Sequence, residues 1–174
     1  DNFEFICIFG DYDADGVTAT ALLYSYLEAR GANVMRYIPD RVTEGYGLNC
    51  EAVRELHERG VKIILTVDNG VSAVEEAKLI KELGMTLIVT DHHKVGEELP
   101  DAHAVVDPLR EDCPSKFKEM SGVGVAFKLV LGLAIKLGID TKLTFMEYAD
   151  LTAIGTIADV VTMLGENRVI TERG

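Results

Sequence analysis

The chain has 174 residues, 48% of them hydrophobic, which is enough for one substantial core and compatible with a single domain. Its net charge of −12, from 17 basic and 29 acidic residues, argues against an ordinary nucleic-acid-binding domain, which presents a basic face. The three cysteines form no Cys-x-x-Cys pair, and no secretion signal or membrane-spanning run is found, so we expect a reduced, cytoplasmic protein without membrane attachment.

Strand-like and helical patterns alternate along the chain. Apolar runs predict strands over Phe3–Phe9, Lys62–Val67, Met85–Thr90 and Ala104–Val106, and a further strand candidate follows Gly31. Helices are predicted over Val17–Arg30, Cys50–Arg59, Ser72–Leu83, Ser121–Leu137 and Thr144–Ile157. The alternation is typical of βαβ units. It predicts an α/β fold with a Rossmann-like parallel sheet of about five strands flanked by helices, followed by a helical C-terminal part.

Acidic or imidazole groups follow four of these strands: Asp11, Asp13 and Asp15 after the first run, then Asp68, then Asp91-His92-His93, and finally Asp107. In a parallel sheet, side chains just past the carboxyl ends of the strands gather in one crevice. So many oxygen donors and imidazoles would repel one another unless cations lay between them. The pattern therefore indicates a metal site for phosphate chemistry.

Other interpretations of these motifs are weaker. Asp-x-Asp-x-Asp-Gly also opens a calcium EF-hand, but here a strand-like run precedes it and Leu22 stands where the bidentate Glu is needed. A dinucleotide site lacks its Gly-x-Gly-x-x-Gly motif. Asp68-Asn69-Gly70 alone would be an ordinary turn, and Asp159 could be a solvent-exposed residue at a helix end.

Six motifs taken together resemble the DHH phosphoesterase superfamily, and within it the RecJ-type single-strand-specific exonucleases. They are Gly10–Gly16, Ile38–Leu48, Val67–Gly70, Thr90–His93, Ser121–Ala126 and Gly155–Arg168. The resemblance covers nearly the whole chain. It implies a single DHH catalytic domain over residues 1–174, a fragment of a longer protein whose companion C-terminal and OB-type domains lie outside this segment.

The resemblance also implies two divalent ions, Mn²⁺ or Mg²⁺, and a set of ligands. Asp13 would bind the first ion, Asp15 the second, and Asp68 would bridge them, while His92 and Asp159 would complete the shell of the second ion. Many superfamily members place a further histidine ligand for the first ion where this chain has Phe9. Water or Asp11 would then compensate, so Asp11 is an additional candidate ligand.

Catalysis and substrate binding are carried over in the same way. His93 would contact the scissile phosphate, Asp91 would support the cluster, and Arg41 would join Asp68 and His93 in the catalytic set. The candidate substrate residues are Arg41, Tyr46, His93, Ser121, Gly122 and Gly124, the last three because a glycine-rich helix start can bind phosphate.

The activity implied is 5′→3′ hydrolysis of single-stranded DNA to mononucleotides, in repair and recombination. The other domains would supply most of the grip on DNA, and this fragment would bind Mn²⁺ but digest DNA poorly. Two alternatives stay open. One is a sibling DHH phosphoesterase acting on oligonucleotides, nucleotides or pyrophosphate, and the other is a non-catalytic binding scaffold.

Overall fold

The computed structural model describes residues 4–174, so Phe3, the first residue of the first predicted strand, lies outside the described part. Five parallel strands form one sheet in the order β2-β1-β3-β4-β5. Their bounds are Ile6–Phe9 (β1), Val34–Tyr37 (β2), Ile63–Val67 (β3), Thr86–Thr90 (β4) and Ala104–Val106 (β5). The predicted parallel sheet of about five strands is confirmed.

Six helices accompany the sheet in residues 4–174: Ala14–Glu28 (α1), Cys50–Glu58 (α2), Val74–Glu82 (α3), Gly122–Leu137 (α4), Thr141–Ala158 (α5) and Gly165–Arg173 (α6). Helix α1 begins at Ala14 rather than at Val17, because Asp13 caps it by accepting a 2.9 Å hydrogen bond from the Gly16 N–H. Helix α6 was not predicted. None of the described helices combines the length and hydrophobicity that a membrane crossing requires.

The helices cover both faces of the sheet and bury two cores. Alternate side chains of β1 point to opposite faces, so Cys7 and Phe9 pack with α2 and α3 while Ile8 packs with α1 and α4. Strand β3 does the same with Ile64 and Leu65. Helix α5 packs outside α1 and α4 and thickens that side. Because the strands are covered on both sides, they read as nearly continuous apolar runs.

The strand order also creates the crevice that the sequence predicted. Strands β2 and β3 lie on opposite flanks of β1. The chain passes from β1 to β2 through α1 on one face of the sheet, and from β2 to β3 through α2 on the other face. The loops after β1 and β3 therefore diverge at the carboxyl ends of two adjacent strands, which is where ligands bind in open α/β sheets. Residues far apart in the sequence, such as Asp11 and Asp68, come together at this point.

Candidate metal centre at the strand ends

Seven acidic and imidazole side chains converge in the crevice as three overlapping groups, in each of which the ligand atoms lie within 4.8 Å of one another. The groups are Asp15, His92 and Asp159; Asp11, Asp13 and Asp68; and Asp68, His92 and His93. All the residues predicted to bind metal belong to these groups, including the additional candidate Asp11. Asp68 is shared by two of the groups, and His92 joins the third group to them.

His92 lies in the middle of the carboxylates. Its Nε2 atom is 3.0 Å from Asp68 Oδ1 and 3.8 Å from Asp15 Oδ2, and its Nδ1 atom is 3.7 Å from Asp159 Oδ2. The side chain of Asp159, which follows α5, therefore faces the crevice instead of being directed only at solvent.

Several of the buried polar atoms in these groups have no hydrogen-bond partner among the protein atoms. Such atoms are free to bind a metal ion, so they show whether the residues suit one. Asp11 Oδ1, Asp68 Oδ1, His92 Nε2 and Asp159 Oδ2 are buried and unpartnered. The close approach of His92 to Asp68 lacks the geometry of a hydrogen bond, since both atoms remain in this unpartnered set. Buried polar atoms are costly when unsatisfied. Carboxylate oxygens with one imidazole suit Mn²⁺, and the oxygen-rich group of Asp11, Asp13 and Asp68 also suits Mg²⁺, so the residues fit the implied ions.

The carboxylate of Asp15 is held by the N-terminus of α4. Its Oδ2 accepts a 2.6 Å hydrogen bond from the Gly122 N–H, and its Oδ1 accepts one of 2.8 Å from the Val123 N–H. The helix dipole favours a negative charge at this end. The N-terminus of α4 therefore fixes the orientation of the Asp15 carboxylate.

This arrangement differs from the predicted substrate role of Ser121, Gly122 and Gly124. Ser121 is fully buried, and its Oγ accepts a 3.1 Å hydrogen bond from the Gly124 N–H and lies 2.9 Å from Thr156 Oγ1. Gly122 gives its N–H to Asp15. The N–H groups of Gly122 and Gly124 thus already donate within the protein, to the Asp15 carboxylate and to Ser121 Oγ.

Two glycines allow the helices to approach the carboxylates. A Cβ atom on Gly122 would lie 2.3 Å from Asp68 Oδ1, and one on Gly155 would lie 2.3 Å from Thr18 Oγ1 and 2.9 Å from Asp15 Oδ1. No side chain fits at either distance. Sequence reasoning missed Gly155 as part of the site, although Gly155 belongs to a motif that was noticed. It assigned the backbone N–H groups at this helix start to phosphate, because a backbone donor carries no signal of its partner.

Unusual backbone conformations also mark the site. Asp68 and Val160 are the only non-glycine residues in the described part of the chain with clearly positive φ, at 62° and 59°. Aspartate tolerates this region, whereas a β-branched residue there is an outlier. Asp68 is a predicted ligand, and Val160 directly follows another. The Asn69 side chain stabilises the backbone next to Asp68 by donating hydrogen bonds to the Phe9 and Val67 carbonyls at 3.2 and 2.9 Å.

Asp91 lies behind the cluster and orients His93. Its Oδ1 accepts 2.7 Å hydrogen bonds from His93 Nδ1 and from the His92 N–H, and its Oδ2 accepts one of 2.9 Å from the Val71 N–H. Burial acts to raise the pKa of Asp91, but the hydrogen bonds from His93 and Val71 outweigh it, so the pKa is lowered. The lowered pKa favours the charged form of Asp91, whose hydrogen bond orients the His93 ring.

The electrostatics of the centre are those of a crowded anionic site. Burial raises the pKa of Asp15 to about 6 and that of Asp68 to about 7. Burial alone would lower the pKa of His92, but the close contact with Asp68 and its charge, with the charges of Asp159 and Asp15, raise it to about 9. Without metal, the centre therefore retains protons at neutral pH. A bound dication would displace them.

The rim of the crevice carries the remaining predicted residues. Tyr46 is 51% exposed, and its Oη lies 3.2 Å from His93 Nδ1 and 3.3 Å from the Asp68 carbonyl oxygen. Arg41 is exposed, with its guanidinium carbon 5.3 Å from the centre of the Tyr12 ring, and Tyr12 meets Tyr46 edge-on at 6.5 Å. Tyr12 was not predicted. The rim thus combines a cation with one exposed and one half-buried tyrosine ring.

Two other residues have positions that the sequence did not settle. Phe9 is fully buried and stacks on Tyr37 with ring centres 5.0 Å apart, so it belongs to the core. Asp11, Asp13 and Asp68 form a possible ligand group without a residue at that position. Asp107, the acid after β5, is buried but lies outside the three ligand groups. Its Oδ1 accepts a 2.7 Å hydrogen bond from the Leu109 N–H and stabilises a turn.

Comparisons with known proteins agree with this geometry. Residues 5–156 match the model of the DHH family, N-terminal domain. The chain is 52% identical over 171 residues to the single-stranded-DNA-specific exonuclease RecJ of Bacillus subtilis, covering 98% of the chain and 21% of that protein. It is 41% identical over 178 residues to the enzyme of the same name from Escherichia coli K12, covering 97% of the chain and 31% of that protein.

Solved structures are similar over the same length. The crystal structure of exonuclease RecJ bound to manganese matches with a TM-score of 0.89 and 42% identity, over 98% of the chain and 43% of that structure. RecJ from Thermus thermophilus in complex with Mn²⁺ matches with a TM-score of 0.82 and 41% identity, over 98% of the chain and 24% of that structure. The chain spans about a fifth to a third of the length of the curated relatives named above.

Proposed function

The chain belongs to the DHH family, and from that membership we propose that it is the metal-binding catalytic domain of a RecJ-type exonuclease that releases mononucleotides from single-stranded DNA. The family and the manganese-bound relatives support a metal-dependent hydrolase acting on phosphodiester bonds. Because the chain spans only part of its relatives, the DNA substrate, the 5′→3′ direction and the cytoplasmic location belong to this proposal.

The observation that carries the proposal is the cluster around His92. Buried, unpartnered atoms of Asp68, His92 and Asp159 face one another, and Asp68 also joins the group that contains Asp11 and Asp13. We assign Asp11, Asp13 and Asp68 to one ion, and Asp15, Asp68, His92 and Asp159 to the other. A pair of dications held by these residues would polarise a phosphodiester and lower the pKa of a bound water.

The protein groups around the ions have separate tasks. His93 is half-exposed, and its hydrogen bond with Asp91 raises its pKa, so the ring is suited to carry a proton and donate to a non-bridging phosphate oxygen. Arg41 adds a positive charge at the rim, and Tyr46 offers a ring on which a base can stack. Asp15 is kept in place by α4.

The acidic character of the chain indicates which part of the longer protein would bind DNA. A net charge of −12 opposes the phosphate contacts that dominate affinity for single-stranded DNA. We therefore assign most of the affinity for long DNA to the parts of the longer protein beyond this chain. This domain would bind the terminal nucleotides at the metal centre.

The test compares the chain with a longer protein, of the length of the relatives, that contains it. Calorimetry should detect two Mn²⁺ ions per chain, and the chain should hydrolyse a 5′-phosphorylated dinucleotide while digesting a labelled single-stranded 20-mer poorly. The longer protein should convert the 20-mer to mononucleotides and leave duplex DNA intact. Asp68→Asn is the inactive control in both.

Three results would contradict the proposal in different ways. Preference of the longer protein for pyrophosphate or dinucleotides over the 20-mer would favour a sibling phosphoesterase. Metal uptake without any hydrolysis would favour a binding scaffold. Rapid digestion of the 20-mer by the chain alone would refute the division of labour between this domain and the rest.

A further inference from the structure

The segment 40–47, here called the rim loop, carries both Arg41 and Tyr46, and its Glu44 side chain connects the start of the loop to the end of β2. Glu44 Oε2 accepts a 2.6 Å hydrogen bond from Tyr37 Oη, and Glu44 Oε1 accepts one of 2.9 Å from the Asp40 N–H. One carboxylate thus ties the end of β2 to the start of the rim loop. Neither Glu44 nor Tyr37 belongs to the metal groups.

The sheet holds the other end of this connection firmly. Tyr37 is the last residue of β2, and its ring stacks on Phe9 with centres 5.0 Å apart and planes 14° apart. Phe9 is fully buried at the end of β1. The Tyr37 hydroxyl therefore projects from a rigid position, so that the hydrogen bond to Glu44 transmits the geometry of the sheet to the rim loop.

The rim loop itself has two parts of different stiffness. In the first part, Asp40 Oδ1 accepts hydrogen bonds of 2.9 Å from the Val42 and Thr43 N–H groups, which closes a compact turn. In the second part, Tyr46 lies between Gly45 and Gly47, whose φ values are 81° and 74°. Glycine leaves the backbone many conformations there, so the position of Tyr46 depends both on where Glu44 anchors the turn and on the contacts of its own Oη with His93 and the Asp68 carbonyl.

We infer that Glu44 and Tyr37 are positioning residues, which act through the rim loop to hold Arg41 and Tyr46 where a nucleotide at the metal centre meets them. This inference rests on the proposed function. Hydrogen bonds from the Asp40 N–H and from Tyr37 lower the pKa of Glu44, so the anchoring carboxylate is charged throughout the neutral range. Because neither residue contacts the ions, loss of the anchor should weaken substrate binding and leave metal binding intact.

The chain supplies a matched control for the key variant. Tyr37→Phe keeps the ring that stacks on Phe9 and removes only the hydrogen bond to Glu44. Tyr24→Phe removes another tyrosine–glutamate hydrogen bond of 2.6 Å, between Tyr24 Oη and Glu28 Oε1 on the exposed side of α1. A hydrogen bond to a charged group is stronger than one between neutral groups, so its loss should be measurable. We expect Tyr37→Phe to raise the KM for a 5′-phosphorylated dinucleotide about tenfold, with kcat within about twofold and an unchanged Kd for Mn²⁺. Tyr24→Phe should change none of the three.

Hydrogen exchange gives a readout that does not depend on turnover. The Asp40 N–H is protected by Glu44, so peptides covering the rim loop should exchange about tenfold faster in Tyr37→Phe and at the wild-type rate in Tyr24→Phe. Glu44→Gln should show a smaller increase in both exchange and KM, because the amide keeps one acceptor oxygen. It also carries the test if Tyr37→Phe does not fold.

The outcomes separate the two claims. Should the wild type bind Mn²⁺ but hydrolyse nothing, the proposed function fails, and the exchange rates still decide whether Glu44 anchors the rim loop. Should the wild type turn over while Tyr37→Phe and Glu44→Gln match it in KM and exchange, the inference is wrong and the proposed function stands. A fall in kcat at constant KM, or a changed Kd for Mn²⁺, would likewise overturn the positioning role.

Discussion

Replacing Gly122 by alanine tests whether the close approach of α4 shapes the metal centre. The added Cβ would lie 2.3 Å from Asp68 Oδ1 and 2.5 Å from Asp68 Cγ. Non-bonded heavy atoms rest at about 3.5 Å, so Asp68 or the start of α4 must move by about 1 Å. The φ of Gly122 is not positive, so alanine is compatible with the backbone there and only the clash opposes it.

The size of the effect follows from this displacement. Ligands of a working site must stay within about 0.5 Å of their productive positions, and a misplacement of about 1 Å costs roughly 10²-fold in rate. Overpacking costs about 1–3 kcal/mol, and replacing a helical glycine by alanine returns about 0.5–1 kcal/mol. We therefore expect Gly122→Ala to lose up to about 2.5 kcal/mol of unfolding free energy, about 10²-fold in kcat, and at least tenfold in Mn²⁺ affinity.

Gly132→Ala is the matched control, because Gly132 lies in the same helix with no atom within 4 Å of the added Cβ. It should stabilise the chain by about 0.5–1 kcal/mol and leave metal binding unchanged. Urea unfolding with and without Mn²⁺ measures the free energies, and calorimetry measures metal affinity. Wild-type Mn²⁺ affinity and stability in Gly122→Ala would refute the reasoning.

Asp68→Asn should abolish turnover and weaken the binding of both ions while the fold is kept. Asparagine tolerates the positive φ of Asp68 but lacks the bridging charge. Two tightly bound Mn²⁺ ions in calorimetry would contradict this. His93→Ala should lower kcat by about 10²–10⁴-fold with two Mn²⁺ ions still bound, and loss of an ion would instead make His93 a ligand. In EDTA, the unfolding free energy from urea titrations should fall as pH rises from about 5 to about 9. The raised pKa values of Asp15 (about 6), Asp68 (about 7) and His92 (about 9) mean that the native state holds more protons than the unfolded state in that window. Mn²⁺ should flatten this profile, and a level profile in EDTA would contradict the shifts.

The sequence predicted the parts of the site that depend on strand ends. Once Ile63–Val67 is identified as a strand of a parallel sheet, the residue after it must lie at the carboxyl edge. The same reasoning places Asp11 and Asp91 there. These predictions needed only the periodicity of local segments and one rule of sheet topology, so the convergence of Asp11, Asp68 and Asp91 could be anticipated without knowing how the helices pack.

The sequence could not predict the parts that depend on helix docking. The partners of Asp15 are backbone N–H groups of α4, far along the chain, and a Ser-Gly-Val-Gly start looks the same whether it binds a phosphate or a carboxylate. Helix α6 was not predicted from the sequence, for a related reason. It has no side-chain cap, and the buried Asn167 contributes by donating to the Glu119 and Thr162 carbonyls at 2.6 and 3.0 Å. Tertiary contacts, which local propensity does not contain, hold that helix.

The acidic composition and the metal centre are connected through the cost of buried charge. Asp11, Asp15 and Asp68 are each only 2% exposed, and the helix N-terminus on Asp15 compensates only one of them. Burial accordingly raises all three pKa values. A fold that relied on packing alone would replace such groups by apolar residues at little cost. Their presence at the topological switch point, beside unpartnered atoms of His92 and Asp159, is what the proposed function requires, because dications bound to the native state would add RT ln(1 + [L]/Kd) to its stability.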